Sequence, residues 1–233
     1  MNNIEKVKLP SNGLLRNAPE EVAIRGMKGK ELSTLFSSFN EAAIEEIIKA
    51  VTDPSVDPDV LCDEDKKFIL HKTRVLTFGN MLDQTLRCPF CGKIHTYNID
   101  YDNFELTHLD EDWLNEKITM PDGKVITKAI PTKADWNAAH RHKEKRGLPD
   151  SYSYLLLQAI RISYMDGSRK TLSELIDYLE NLPGKDLSFL TRKLELKFGL
   201  DTTFTVECQS CHTDFTGGVG INADMFREYD NTL

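Results

Sequence analysis

The stretch TLRCPFCGKIHTYNID, residues 85–100, sets Cys88 and Cys91 two residues apart with Gly92 directly behind them. A second pair, Cys208 and Cys211, stands in TVECQSCHTDFTG, residues 205–217. Each pair is flanked by β-prone runs, MLDQTLR and HTYNIDY around the first, TTFTVE and DFTGGVGI around the second. This is the pattern of two hairpins with a thiol pair at each tip. A two-residue gap lets both sulfurs of one tight turn point the same way, and two such knuckles complete a tetrahedral sulfur shell. Gly92 falls where the knuckle turn favours a residue tolerant of positive φ.

The shell so predicted is Cys88, Cys91, Cys208 and Cys211 around one zinc per chain, with iron as the lesser alternative for an all-thiolate site. Four sulfurs leave the metal no open position for water, so the metal is expected to hold the chain and not to hydrolyse anything. His95 and His212 adjoin the pairs but are not needed as ligands. A thioredoxin-like role is disfavoured because neither pair follows a strand and opens a helix. Cys62 stands apart and reads as a buried structural thiol.

Working outward, residues 92–207 form a long insertion between the two half-sites. The expected class is α+β: a zinc-ribbon-like pair of knuckle hairpins carrying a large, mostly helical insertion. The expected division is 1–91 plus 201–233 for the first unit and 92–200 for the inserted one, with one integrated domain as the alternative. Before the first pair, EVAIRGM alternates like a strand, and FNEAAIEEIIKAV spaces Ala43, Ile44, Ile47, Ile48 and Val51 on one helical face after Ser38 or Asn40 as N-cap. TDPSVDPD reads as a loop. CDEDKKFILHKTRVLTFGN reads as a helix with acids in its first turn and Gly79 at its end.

Within the insertion, ITMPDGKVITKAI is a hairpin turning at Asp122-Gly123. Four helical segments follow: KADWNAAHRHKEKRG, SYSYLLLQAIRISYM, TLSELIDYLENL and LSFLTRKLELKFG, the last ending at Gly199. Thr171 and Glu174 have capping-box spacing. SYSYLLLQAIRISYM should be the most buried element, with Tyr154, Leu155, Leu157, Ile160 and Ile162 at its centre.

The 233 residues carry a formal net charge of −8, which disfavours nucleic acid because phosphate binding needs a basic surface. The basic run HRHKEKRG, residues 140–147, reads as the solvated end of a helix. The first residues have no apolar core of a secretory signal. No run approaches the roughly 18 apolar residues of a membrane span. A cytosolic setting, with five reduced cysteines, is the expectation. No G-x-S-x-G, P-loop, H-E-x-x-H or dinucleotide-binding glycine motif is present.

The order of segments carries one further reading. KLPSNGLLRN is followed by EVAIRGMKGKELSTL. A helix ending RVLTFGN runs into CPFCG, and the MPDGKVITKAIPT hairpin comes next. SYMDG, LENLPGKDLSFL, CQSCHTDFTGGVGI and NADMF then follow in turn. This order resembles the baseplate hub assembly protein family of T-even-like contractile-tailed bacteriophages, from Leu9 to about Phe226. The resemblance implies a non-enzymatic tail protein, a structural subunit or an assembly chaperone of the baseplate hub. It implies synthesis in the host bacterial cytoplasm, a possible place in the virion, and other baseplate and tail hub proteins as partners. Leu14, Leu15, Met225 and Phe226, apolar residues at turns or ends, are the expected partner contacts. A zinc-ribbon module that binds nucleic acid is the alternative.

Overall fold

The computed structural model describes residues 4–226. The chain opens with β1 (Ile4–Lys8) and β2 (Glu21–Arg25), which pair antiparallel. Next come α1 (Gly29–Ser37) and α2 (Glu41–Val51). Asn40 starts α2, its side-chain oxygen accepting from the Ala43 N–H at 3.0 Å. A short β3 (Thr52–Asp53) adds to the free side of β2, so part of the expected loop is strand. The central helix α3 (Asp63–Phe78) has three acids in its first turn, and Gly79, at φ 88°, ends it. Ile47, Ile48 and Val51 of α2 meet Val22, Ile24, Phe68 and Ile69 in the first core, and Ala43 is buried as well.

β4 (Met81–Arg87) and β5 (Ile94–Asp100) form the first thiol hairpin, which runs unbroken across positions 91 and 92. β6 (Glu105–Thr107) leads to α4 (Glu111–Asn115) and to the hairpin of β7 (Lys117–Thr119) and β8 (Val125–Lys128). Then come α5 (Lys133–Arg146), α6 (Ser153–Ile160), β9 (Ile162–Met165), α7 (Leu172–Glu180) and α8 (Gly184–Lys193). β10 (Gly199–Asp201) returns to pair antiparallel with β6. β11 (Thr203–Glu207) and β12 (Asp214–Gly218) form the second thiol hairpin, and a 3-10 turn covers Ala223–Phe226. The result is an α+β chain.

Two expectations are corrected here. SYSYLLLQAIRISYM is not one helix: α6 stops at Ile160, and Ile162–Met165 joins β8 as a strand. The β7–β8 hairpin offers an open edge, and the β-branched, aromatic ISYM run takes it. The second core therefore centres on Leu156, Ala159 and Ile162 against Ile126, Leu175 and Leu179, while Tyr154 is 48% exposed. LSFLTRKLELKFG also ends early, at Lys193, and Gly199 opens β10 instead of closing a helix.

The N-terminal turn and the insertion lock together. Ser11 N–H donates to the buried Asp65 carboxylate at 2.8 Å, Leu109 N–H to the Pro10 carbonyl at 2.7 Å, and the Asn12 amide to the Leu109 carbonyl at 3.1 Å. Arg74 is the second tie. Its buried guanidinium donates to the carbonyls of Gly79, Met81 (2.7 Å) and Met225 (3.3 Å) and lies 5.1 Å from the Tyr101 ring centre. One side chain thus binds the end of α3, the start of the first thiol hairpin and the C-terminal turn. A lysine presents a point charge and cannot reproduce this fork. Arg74→Lys is expected to cost about 3 kcal/mol, measured by urea unfolding with an unchanged m-value.

His71 on α3 is 3% exposed, and burial pushes its pKa from 6.5 down to about 4, with Lys67 and Arg74 adding to the effect. A base whose folded pKa lies below its unfolded one contributes full stability above the unfolded value. That stability is lost as pH falls from 6.5 towards 4. Wild type is expected to lose about 3 kcal/mol more than His71→Gln across that window. Parallel pH–stability curves would refute the assignment.

Candidate metal centre

The two thiol hairpins meet inner face to inner face. In each strand one residue in two faces the partner hairpin: Leu86 and Tyr97 from the first, Phe204, Val206 and Phe215 from the second. Tyr97 and Phe215 meet edge to face at 6.0 Å. Gly217 sits where a Cβ would come within 2.9 Å of the Phe204 ring and 3.0 Å of Leu86. A side chain there would hold the hairpins apart. Above this layer the Oγ of Ser210 and Nε2 of His95 pair at 2.9 Å across the gap.

The knuckles are built alike. Cys88 and Cys208 each accept, at 3.4 Å on sulfur, the N–H two residues on, from Phe90 and Ser210. Gly92 N–H returns to the Cys88 carbonyl at 3.0 Å, and His212 N–H to the Cys208 carbonyl at 2.9 Å. The residue after each pair is left-handed, Gly92 at φ 73° and His212 at φ 55°. Glycine accepts this freely; His212 is further held by its ring nitrogen, 2.7 Å from Glu207.

All four sulfurs lie within 4.8 Å of one another, with Cys88 and Cys211 at 3.7 Å and Cys91 and Cys208 at 3.6 Å. These separations are far too long for a disulfide near 2 Å. They match the edges of about 3.8 Å in a sulfur tetrahedron with metal bonds near 2.3 Å. The group can hold a metal ion. For Cys91 the Lys93 backbone favours the thiolate, but desolvation and the three neighbouring thiols outweigh it and push the pKa up to about 11. Cys208 is lowered: desolvation opposes it, and donors from Cys211 and Ser210 overcome that. A metal binds these groups as thiolates, so its binding releases protons.

His95 and His212 make the contacts just given and stand outside the four-sulfur group. Cys62 is buried, as expected, and burial pushes its thiol up. The anticipated contact residues do not form one exposed patch. Met225 and Phe226, 3% and 1% exposed, are packed in the chain's own first core. Leu14 and Leu15 are half-buried, packed against Cys62, Leu109, Ile130 and Phe198.

The sequence reading passed over two features. Phe90, between the first two cysteines, is 65% exposed. A cavity beside α3, lined by His71, Tyr101 and His108, also went unread. Its one signal was His71 on the stripe Phe68, His71, Val75, a polar residue at helical spacing on a buried face.

A family model described as "T4 bacteriophage base plate protein" matches residues 1–219, a span that includes both cysteine pairs. No curated protein and no solved structure matches the chain. No helix among the described residues is long and apolar enough to cross a membrane.

If the four thiols hold one ion, Cys208→Ser should lose stoichiometric metal and lower the unfolding midpoint, while Cys62→Ser keeps the metal. Ligand protons compete with the ion, so retention should fall as pH is lowered. Elemental analysis of both variants across a pH series checks this; equal metal in both would contradict the site.

Proposed function

We propose that this chain, which belongs to the T4 bacteriophage base plate protein family, acts without catalysis in building the base plate hub, and that its four cysteines hold a structural zinc. The family match over residues 1–219 carries the reading. The four-sulfur group agrees with it: a closed thiolate shell fixes two distant segments and leaves no position for a reacting water. Zinc suits such a shell better than iron, since it brings no redox chemistry to a part that has to hold shape.

The paired hairpins then form a zinc ribbon, and the span from Leu109 to Phe198 is a unit carried on it. The strands β6 and β10 close that unit's neck. The protein would be made in the host cytoplasm and meet other hub proteins there. Of the expected contact residues, Leu14 and Leu15 remain candidates, because they line a cleft with Leu114, Thr127 and Ile160.

Deleting the gene from the phage should abolish complete tails, and supplying the chain in trans should restore them. Tails that form without it would overturn the reading. Mass spectrometry of purified particles then separates the two hub roles: a subunit is present in stoichiometric amount, and an assembly chaperone is absent.

A further inference from the structure

Two small sheets lie side by side on α3, each with an open edge. β1 pairs with β2 on one side, and β6 pairs with β10; among the described residues no strand covers the other side of either. The register fixes which groups of β1 face outward. Leu9 N–H donates to the Glu20 carbonyl at 2.8 Å, continuing the ladder in which Val7 faces Val22 and Glu5 faces Ile24. Bonding alternates along an antiparallel pair, so the peptide groups of Ile4, Lys6 and Lys8 turn to the open side. β1 and β6 converge at one end, where Leu109 N–H binds the Pro10 carbonyl.

Between them is a cavity of about 400 Å³, lined by Val7 and Lys8 of β1, by Leu106 of β6, and by His71, Val75 and Tyr101. A volume of this size is within the range of pockets that take up a ligand. Its polar groups are unfinished. His71 is 3% and Tyr101 7% exposed, yet His71 Nδ1 and the Tyr101 hydroxyl have no hydrogen-bond partner among the described residues. The same holds for His108 Nε2 at the cavity's edge. Buried polar atoms left this way are uncommon in folded proteins and call for a missing partner.

We propose that this groove receives an extended segment of another base plate protein, which adds as a strand between β1 and β6. Open peptide groups along the exposed edge of β1 offer a backbone partner a ladder of hydrogen bonds, which a small apolar molecule cannot use. The apolar walls require an apolar side chain, and His71 and Tyr101 require a neutral polar end on it. A tyrosine or tryptophan facing the floor meets both demands. With the guest in place, the three-stranded and two-stranded sheets become one sheet across α3. The assignment rests on the base plate role proposed above and names the surface that serves it.

The test places a benzophenone amino acid at Lys8 on one rim, and separately at Thr107 on the other. The full chain complements a phage that lacks the gene, and infected cells are irradiated. Both positions should link to one short segment of the same other phage protein. Lys6→Pro, which removes an outward N–H, should lower the yield about tenfold, while Lys6→Ala leaves it unchanged. Metal content and circular dichroism of purified Lys6→Pro establish that it is folded. If it is not, the cavity-filling variant Leu106→Trp is used in its place, with the same loss expected. Adducts only to a second copy or to nucleic acid would overturn the proposal. So would undiminished yield in both variants. A chain needed for tails that gives no adduct from either rim sinks the groove alone; a chain dispensable for tails sinks the base plate reading itself.

Discussion

Sulfur atoms from two distant parts of the chain meet at one point: Cys88 and Cys91 at one hairpin tip, Cys208 and Cys211 at the other. Bringing such segments together costs chain entropy that grows slowly with the length between them. A metal bound by all four would offset that cost at the tips of the two hairpins. Below the tips the hairpins are already matched, by Tyr97 on Phe215 and by the bare Gly217 under Phe204 and Leu86. The metal and the aromatic layer therefore act on the same interface, one at the end and one along the length.

Order passes from there into the rest of the molecule through a few polar contacts. Arg74 gathers three carbonyls that belong to α3, the first thiol hairpin and the C-terminal turn. Asp65 holds the Ser11 turn, whose neighbours Pro10 and Asn12 hold Leu109. Arg74's buried charge is tolerable because each of these contacts is a hydrogen bond to a fixed carbonyl; Asp65 is less complete, and burial raises its pKa. Against that, His71 Nδ1 and the Tyr101 hydroxyl have no hydrogen-bond partner among the described residues. His71 lies one turn before Arg74 on α3.

Much of this was legible in the sequence, for identifiable reasons. The thiol hairpins could be read because alternation and the C-x2-C turns point to one geometry. Asn40, Gly79 and Thr171 marked helix ends because each does there what its side chain or backbone does best. The break at Arg161 could not be read. Leucines and isoleucines on both sides of it suit a helix or a buried strand equally, and only the open edge of β8 decides. The neck strands β6 and β10 are three residues each, too short for a period to show. Met225 and Phe226 looked like a free end because nothing local says that Arg74 reaches the Met225 carbonyl across the whole chain.

The proposed zinc would join the two hairpins through four thiolates and nothing else. X-ray absorption at the zinc edge of the purified full chain tests it most directly. The expected result is a single shell of sulfur neighbours, about four of them at about 2.3 Å, with no nitrogen or oxygen component. A mixed shell, with a shorter component near 2.0 Å of the kind that histidine or water gives, would contradict it.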